Sequence, residues 1–249
     1  MPNRIAAKLL AEFIGTFALI FIGAGAAAVV GGGAGLPGVA AAIAFAHGLT
    51  VMAFAFAYGT VSGGHFNPSV TVALLAAGAM RVGEAAGYVI SQFAGGILGA
   101  LLLRAVLGGT GTELGTPDLA HNLGLGTTTL TVTPWAGYVI EAVLGFFLST
   151  VVLSTAVAGR AGNLAPLAIG VTLIFNIIMG GPLTGAAFNP ARAFGPMVAT
   201  DNFNDAWLYL TAPVVGAIVA AVLHTALARL GREQMAANDH RTAAGTPAE

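Results

Sequence analysis

The chain has 249 residues, of which 57% are hydrophobic and only 8% are charged, and its formal net charge is −1. Soluble domains carry about 25% charged residues, so this composition argues against a soluble fold. The small net charge offers no basic surface for nucleic acid, and the absence of cysteine excludes disulfides and thiolate metal sites.

Long charge-free stretches predict membrane spans along the chain. No charged residue occurs between Glu12 and Arg81, a gap long enough for two spans of about 20 residues and further embedded chain. The apolar run that begins near the N-terminus is too long for a cleaved signal peptide and is interpreted as the first span. Six spans are predicted, at residues 6–30, 38–59, 83–107, 134–157, 164–181 and 206–228.

Seven of the nine basic residues fall on one side of this six-span arrangement, Arg104 and Arg192 being the exceptions, and most acidic residues outside the spans fall on the other. The positive-inside rule then predicts a multi-pass protein of the cell membrane with both termini in the cytoplasm. The polar residues 231–249 are predicted to form a disordered cytoplasmic tail. The basic residues on the predicted cytoplasmic side are Arg4, Lys8, Arg81, Arg160, Arg229, Arg232 and Arg241.

Two apolar segments, residues 67–80 and 189–200, are too short to cross a bilayer. They lie within a repeat, because SGGHFNP at residues 62–68 aligns with TGAAFNP at residues 184–190, at an offset of 122. Each half has three spans, so the second half must enter from the opposite side. The prediction is one membrane domain over residues 1–230, built from inverted repeats at about 6–107 and 134–228.

Helix capping predicts the chemistry of the repeated Asn-Pro pairs. Asn is a preferred N-cap and Pro is favoured at the first helical position, so each pair is expected to begin a half-helix. An Asn that caps through its side-chain oxygen keeps both amide N–H donors free. If both half-helices begin near the midplane, these donors and the positive helix ends face one lumen, where they bind water and repel cations.

This combination resembles the aquaporin, or major intrinsic protein, family, which has two Asn-Pro-Ala motifs on two half-helices. The resemblance covers nearly everything except the tail. It implies an all-α integral membrane fold with six transmembrane helices and two half-helices in a right-handed bundle, assembled as a homotetramer. It also implies a passive water channel that excludes protons and ions and needs no cofactor. The motifs read Asn67-Pro68-Ser69 and Asn189-Pro190-Ala191, followed by Arg192.

Ser69 departs from the family pattern, in which Ala is usual at this position. Its hydroxyl sits at an early helix position and can bond to nearby backbone, and because Asn67 and Pro68 persist we expect the pore to remain conducting. In the family, four residues form a constriction on the outer side of the paired Asn. By alignment from the motifs, this selectivity filter consists of His47, Ile177, Ala186 and Arg192.

The sequence context of Arg192 indicates a functional residue even without the alignment, because an arginine in a charge-free embedded stretch is costly and usually functional. The filter set is similar to that of plant tonoplast intrinsic proteins and, at Ile177, of archaeal aquaporins. That similarity implies ammonia permeability as well as water permeability. Glycerol channels of the family have Asp directly after this Arg, whereas Ala193 follows in this chain, which disfavours glycerol.

Four further residues carry weaker expectations. His65 precedes the first motif, where the family has a pore-lining His, and His121 could reach the pore mouth from the long outer loop. The alternative for both histidines is an ordinary loop position. Glu12 and Glu141 are expected to be buried acids that hold the half-helix loops, as in the family. The rival interpretation is a proton-coupling site, since intramembrane acids often mark transport.

Two other functions therefore remain open at this point. One is a facilitator for glycerol, urea or similar small neutral solutes, and the other is a coupled secondary transporter, a class that also uses inverted repeats. An enzyme is not expected, because no nucleophile, metal cluster or pair of acids forms a catalytic constellation. The expected partners are water and small neutral solutes, the lipid bilayer and other copies of the chain.

Overall fold

The computed structural model describes residues 2–31, 38–109 and 112–243. The first half contains α1 (Pro2–Ala18), a π-helical segment (Leu19–Ala24), α2 (Gly25–Val30), α3 (Val39–Ser62), α4 (Pro68–Ala76) and α5 (Val82–Val106). The second half contains α6 (Pro134–Val152), a π-helical segment (Leu153–Val157), a 3₁₀ turn (Gly162–Leu164), α7 (Ala165–Thr184), α8 (Pro190–Thr200) and α9 (Ala206–Ala243). A two-stranded antiparallel hairpin, β1 (Leu123–Leu125) and β2 (Thr128–Leu130), lies between the halves.

Six helical stretches of the described chain are long and apolar enough to cross a membrane, which confirms the predicted number of spans. The shortest has 23 residues, or about 35 Å at the α-helical rise, enough for the hydrocarbon core. Many large apolar side chains on these helices are exposed, as expected for surfaces that face lipid. The stretches are Arg4–Val30, Val39–Ser62, Val82–Val106, Pro134–Val157, Gly162–Thr184 and Ala206–Met235.

The two short helices, α4 and α8, tie the halves of the chain together. α4 has 9 residues and α8 has 11, so neither can span a bilayer alone. α4 packs against α9 of the other half, and α8 packs against α5. The α5–α8 contact is between backbones, because a β-carbon on Gly96 would lie 2.7 Å from the carbonyl oxygen of Ala191. Both half-helices are therefore enclosed by protein, as embedded non-spanning segments must be.

A second cross-half contact uses the repeated glycines Gly48 and Gly170. A β-carbon on Gly48 would lie 2.6 Å from the Gly170 carbonyl oxygen, and one on Gly170 would lie 2.8 Å from the Gly48 carbonyl oxygen. Equivalent positions of the two repeats thus meet each other where α3 crosses α7. Any larger residue at either position would separate the helices, which explains why the repeat carries glycine twice.

The C-terminal segment differs from the sequence prediction. Disorder was expected from Gly231, whereas α9 continues as helix to Ala243. Residues 232–237 include Arg, Glu, Gln, Met and Ala, which are all good helix formers, so a helix that leaves the membrane can propagate through them. The remainder of the predicted tail, residues 244–249, lies outside the described residues.

Candidate functional site

Asn67 and Asn189 cap the two half-helices as their sequence positions predict. The Asn67 side-chain oxygen accepts a bond of 2.8 Å from the backbone N–H of Ser69. The Asn189 oxygen accepts from the N–H groups of Ala191 and Arg192, at 3.1 and 3.2 Å. In each case a proline occupies the first helical position. The caps fix both amide groups at the positive ends of helices.

The two capping asparagines also bind the opposite half of the protein. Asn67 Nδ2 donates to the carbonyl oxygen of Phe188 at 3.0 Å, and Asn189 Nδ2 donates to that of Phe66 at 2.9 Å. Both phenylalanines have positive φ, 49° at Phe66 and 30° at Phe188, a strained conformation that turns each carbonyl toward the other repeat. Capping alone predicts two free N–H donors on each amide. In the structure one of them is used, and one remains for a solute.

Glu12 and Glu141 are fully buried and hold the loops that precede the asparagines. Glu12 accepts from the backbone N–H groups of His65 and Phe66 at 3.0 and 2.7 Å. Glu141 accepts from those of Ala187 and Phe188 at 2.9 and 2.5 Å. Each acid also accepts a hydrogen bond from the hydroxyl of the last residue of the helix before its loop. That residue is Ser62 of α3 for Glu12 and Thr184 of α7 for Glu141. The matched bonding explains the positive-φ loop backbone, because the carboxylates compensate its strain.

Two buried tyrosines brace the same loops, and neither was predicted from the sequence. The Tyr88 hydroxyl donates to the Ser62 carbonyl at 2.7 Å, and the Tyr209 hydroxyl donates to the Thr184 carbonyl at 2.9 Å. They occupy equivalent places in the two repeats and are separated by 121 residues, one less than the motif offset. The near-match between this spacing and the spacing of the two motifs is the sequence feature that could have identified the two tyrosines as a pair.

The repeat symmetry is broken at one polar cluster in the first half. Gln92 Nε2 donates to Glu12 at 2.7 Å and to the Thr71 hydroxyl at 2.9 Å, and that hydroxyl lies 3.0 Å from His65 Nδ1. At the positions of Gln92, Thr71 and His65 the second half has Pro213, Ala193 and Ala187. The first half-helix is therefore held by a side-chain network that the second lacks, and this network fixes the ring of His65.

Residues from both repeats line one narrow cavity of about 20 Å³, roughly the space that a single water molecule needs. Its polar lining comes from His47, His65, Asn67, Asn189 and Arg192. Ile177 and Ala186, the other two predicted filter residues, line it as well, and both are buried. The remaining wall is mostly apolar and includes Leu19, Val51, Val70, Leu148, Val152, Ile169 and Leu173.

His47 and Arg192 provide opposite hydrogen-bonding functions to this cavity. His47 Nδ1 lies 2.9 Å from the carbonyl oxygen of Ile43, which can only accept, so Nδ1 carries the proton of the neutral ring. Nε2 is then an acceptor, and it has no partner among the described residues. Arg192 Nη1 donates to the carbonyl oxygen of Gly115 at 2.8 Å, while Arg192 Nε–H, like His47 Nε2, has no hydrogen-bond partner among the described residues. Each of the two side chains therefore has one buried polar atom without a partner among the described residues, an acceptor on His47 and a donor on Arg192.

The comparisons with known proteins agree with this geometry. The sequence pattern of the family described as Major intrinsic protein matches residues 3–224. The chain belongs to the major intrinsic protein family. It is 38% identical to Aquaporin NIP1-2 of Oryza sativa subsp. japonica over 217 residues, covering 86% of this chain and 69% of that protein.

Relatives with tonoplast-type names match over longer stretches. Probable aquaporin TIP3-2 of Arabidopsis thaliana is 37% identical over 235 residues, covering 90% of this chain and 84% of that protein. Aquaporin TIP4-4 of Zea mays is 37% identical over 239 residues, covering 93% and 91%. The fold is similar to the X-ray structure of the aquaglyceroporin from Plasmodium falciparum, with a TM-score of 0.73, 23% identity and coverage of 89% of this chain and 96% of that chain.

Membership of the major intrinsic protein family makes the chain a multi-pass membrane channel and not an enzyme. Within the described residues, no group of three His, Cys, Asp or Glu side chains is arranged to hold a metal ion. The sequence also singled out the side chains of His121 and Ser69, and the structure describes the surroundings of both.

His121 lies on the exposed surface of the outer loop and is not among the residues that line the cavity. Backbone bonds hold the preceding Ala120 to Leu183 and Val132, so the chain is anchored one residue before the histidine. The loop residue that does reach the filter is Gly115, through its carbonyl oxygen. A backbone carbonyl has no sequence signature, so this contact could not be predicted.

A hydroxyl at the position of Ser69 can bond to nearby backbone. The Ser69 hydroxyl is buried and has no hydrogen-bond partner in the described structure. The oxygen of Asn67 already takes the N–H of Ser69, and the Asn67 carbonyl is approached by the Thr71 hydroxyl at 3.2 Å, so the local groups are engaged. Ser69 is therefore a buried polar group without a partner at the start of a half-helix.

Proposed function

We propose that this channel conducts water in single file, with Asn67 and Asn189 as the central contacts and His47, Ile177, Ala186 and Arg192 as the filter. The observation that supports it best is the pair of reciprocal Asn–Phe hydrogen bonds. These bonds leave one amide donor on each asparagine beside the same narrow cavity.

A water molecule between the asparagines accepts from both amides and is thereby turned, so that its own hydrogens point away along the pore. The N-terminal ends of α4 and α8 add positive charge at the same level, and Arg192 adds a further positive charge on the outer side of the asparagines. This arrangement opposes cations and interrupts a continuous chain of proton-donating waters. Water passes because each hydrogen bond that it loses to bulk solvent is replaced by one from the wall.

Ammonia is proposed as a second permeant. It is similar in size to water, and its N–H groups can donate to the unpartnered Nε2 of His47. Ile177 and Ala186 add an apolar side to the filter that suits a weakly hydrated solute. The alternative, a glycerol or urea facilitator, is disfavoured by Ala193, which stands where glycerol channels of the family have Asp.

The coupled-transporter alternative is less well supported. Its candidate coupling acids, Glu12 and Glu141, are occupied by backbone and hydroxyl donors and are absent from the cavity lining of the described structure. We also propose that the channel assembles as a homotetramer in a cell membrane with both termini in the cytoplasm. The orientation is supported by the clustering of basic residues on one side of the six spans.

Stopped-flow light scattering on proteoliposomes tests the solute range. Sucrose gradients measure water flux, glycerol and urea gradients measure larger solutes, and ammonium gradients with an internal pH dye measure ammonia. We expect water and ammonia fluxes well above those of empty liposomes, with glycerol and urea close to the empty control. Ammonia flux equal to that of empty liposomes would remove ammonia from the proposal, and rapid glycerol flux would favour the alternative.

A variant pair connects the flux to the asparagines. Asn189→Asp keeps the capping oxygen but removes the amide donor, so water flux should fall severalfold. Asn204→Asp, the same substitution at an exposed site, should conduct like the parent protein. Equal water flux in all three proteins would contradict a role for the Asn189 amide in conduction.

A further inference from the structure

A cleft unrelated to the pore opens between the first turns of α1 and α5. Its volume is about 520 Å³, and it is bordered by Arg4, Ile5, Lys8, Arg81, Gly83 and Glu84. These residues lie at the ends of two membrane spans, the stretches Arg4–Val30 and Val82–Val106. The cleft therefore sits where a helix surface passes from lipid hydrocarbon into the headgroup layer.

The charges of the cleft are unbalanced. Three of its side chains are basic and one is acidic, and the acid is already paired, since Lys8 Nζ lies 2.6 Å from Glu84 Oε1. Arg4 and Arg81 are exposed and make no hydrogen bond or ion pair with the described residues. Two guanidinium groups, each with several N–H donors, are thus available to an anion, and planar guanidinium groups suit phosphate well.

The packing of α1 against α5 gives the cleft a closed inner end. At Gly87 the helices touch, because a β-carbon there would lie 3.0 Å from Leu9 Cδ2. One turn earlier, a β-carbon on Gly83 would meet nothing within 4 Å. The helices are therefore in contact at Leu9 and Gly87 and separate toward their ends. The gap between the ends is bounded by the basic side chains.

Exposed apolar side chains extend from the cleft along the surfaces of α1 and α5 that would face lipid. Val82 is 72% exposed and Leu10 is 58% exposed, and Ile5 borders the cleft itself. A soluble phosphate would gain nothing from these side chains. The acyl chains of a phospholipid whose phosphate lies between Arg4 and Arg81 would cover them.

We propose that this cleft binds the headgroup of an anionic phospholipid, with Arg4 and Arg81 as the phosphate contacts and Lys8 supporting them. Free phosphate shares the same chemistry, and the exposed apolar edge is the reason for choosing the lipid. The proposal depends on the membrane-spanning fold and is independent of which solute the pore conducts.

Native mass spectrometry of the intact detergent-solubilised protein tests the site. The protein is titrated with phosphatidylglycerol or with phosphatidylcholine of the same acyl chains, and inorganic phosphate is added in a separate arm. We expect phosphatidylglycerol to bind at least roughly tenfold more tightly, because its headgroup carries a net negative charge that the two exposed guanidinium groups can contact, whereas phosphatidylcholine has no net charge. Equal binding of the two lipids, or displacement of phosphatidylglycerol by millimolar inorganic phosphate, would overturn the proposal.

Three variants locate the binding. Arg4→Gln combined with Arg81→Gln should reduce phosphatidylglycerol affinity roughly tenfold, whereas Arg229→Gln combined with Arg232→Gln, which removes two exposed arginines of α9, should not. Glu84→Gln should raise the affinity, because it removes the acid that neutralises Lys8. Thermal unfolding of each variant verifies that it is folded. Equal losses in the two double variants, or an unchanged affinity in Glu84→Gln, would show that the anion does not bind in this cleft.

Discussion

The ring of His47 rests directly against Gly23, so that a β-carbon at Gly23 would lie 2.6 Å from His47 Cδ2. Gly23 belongs to the π-helical segment Leu19–Ala24 in the first span, and Leu19 of the same segment lines the cavity. Single-turn π-helical insertions are frequent at functional sites because they displace a helix surface locally. In this channel the insertion places a glycine behind the filter histidine and a leucine beside the asparagines.

This contact predicts that Gly23→Ala impairs the filter. The added methyl group must move the imidazole, and overpacking of this kind costs about 1–3 kcal/mol. Displacement of His47 into a cavity of about 20 Å³ should reduce water flux severalfold in stopped-flow measurements. Gly59→Ala is the matched control, because Gly59 lies in α3 and a β-carbon added there would meet nothing within 4 Å. Unchanged flux in Gly23→Ala would mean that the ring position does not limit conduction.

The half-helices and the inverted repeat could be predicted because their signals are local. Asn followed by Pro favours a helix start, and its recurrence after 122 residues identifies the symmetry. The filter positions His47 and Arg192 were also located by counting from these motifs. Both line the cavity; only the alignment indicated His47, whereas Arg192 was also indicated by its place in a charge-free stretch directly after the second motif.

The supporting contacts could not be predicted because they depend on tertiary proximity. Gly23 is one of 36 glycines, and nothing in its neighbourhood in sequence indicates that a ring from another helix will contact it. Gly115 contributes only a carbonyl oxygen, whose direction depends on the path of a long loop. His121 could be named only as a possible lining residue for the same reason, since residue type alone does not determine which part of that loop turns inward.

The bonding of Glu141 predicts that removing its carboxylate destabilises the fold, and that any loss of water flux follows from this loss of stability. In Glu141→Gln, an amide NH₂ would face the N–H groups of Ala187 and Phe188 or leave one of them unpaired. Each buried unpaired N–H costs about 1–3 kcal/mol, so the thermal unfolding temperature should fall together with water flux. Glu233→Gln, at an exposed position of α9, is the control.

The same variant separates the channel from a coupled transporter. If Glu141 carried a coupling proton, Glu141→Gln would unfold at the normal temperature and lose only flux driven by a proton gradient. A protein of unchanged stability with selective loss of gradient-driven flux would contradict a structural role for Glu141.

The position of His121 predicts that this histidine is dispensable. Because it is exposed and lies outside the cavity lining, His121→Ala should leave water and ammonia fluxes within experimental error of the parent. Ammonium gradients with an internal pH dye measure the ammonia flux, and sucrose gradients measure the water flux. A drop in ammonia flux in His121→Ala would mean that the loop adopts another arrangement during conduction.

Ser69→Ala isolates the effect of the one departure from the family's paired motif. The Ser69 hydroxyl is buried without a partner among the described residues, so its removal relieves a desolvation penalty and leaves no new unpaired group. The variant should therefore unfold at the same temperature or higher, by up to about 1 kcal/mol in stability, and its water flux should remain within severalfold of the parent. Thermal unfolding in detergent and stopped-flow scattering measure the two quantities. A clear loss of stability would mean that the hydroxyl has a partner in the membrane, with bound water as the first candidate, because a buried hydroxyl that is truly unpaired cannot stabilise the fold.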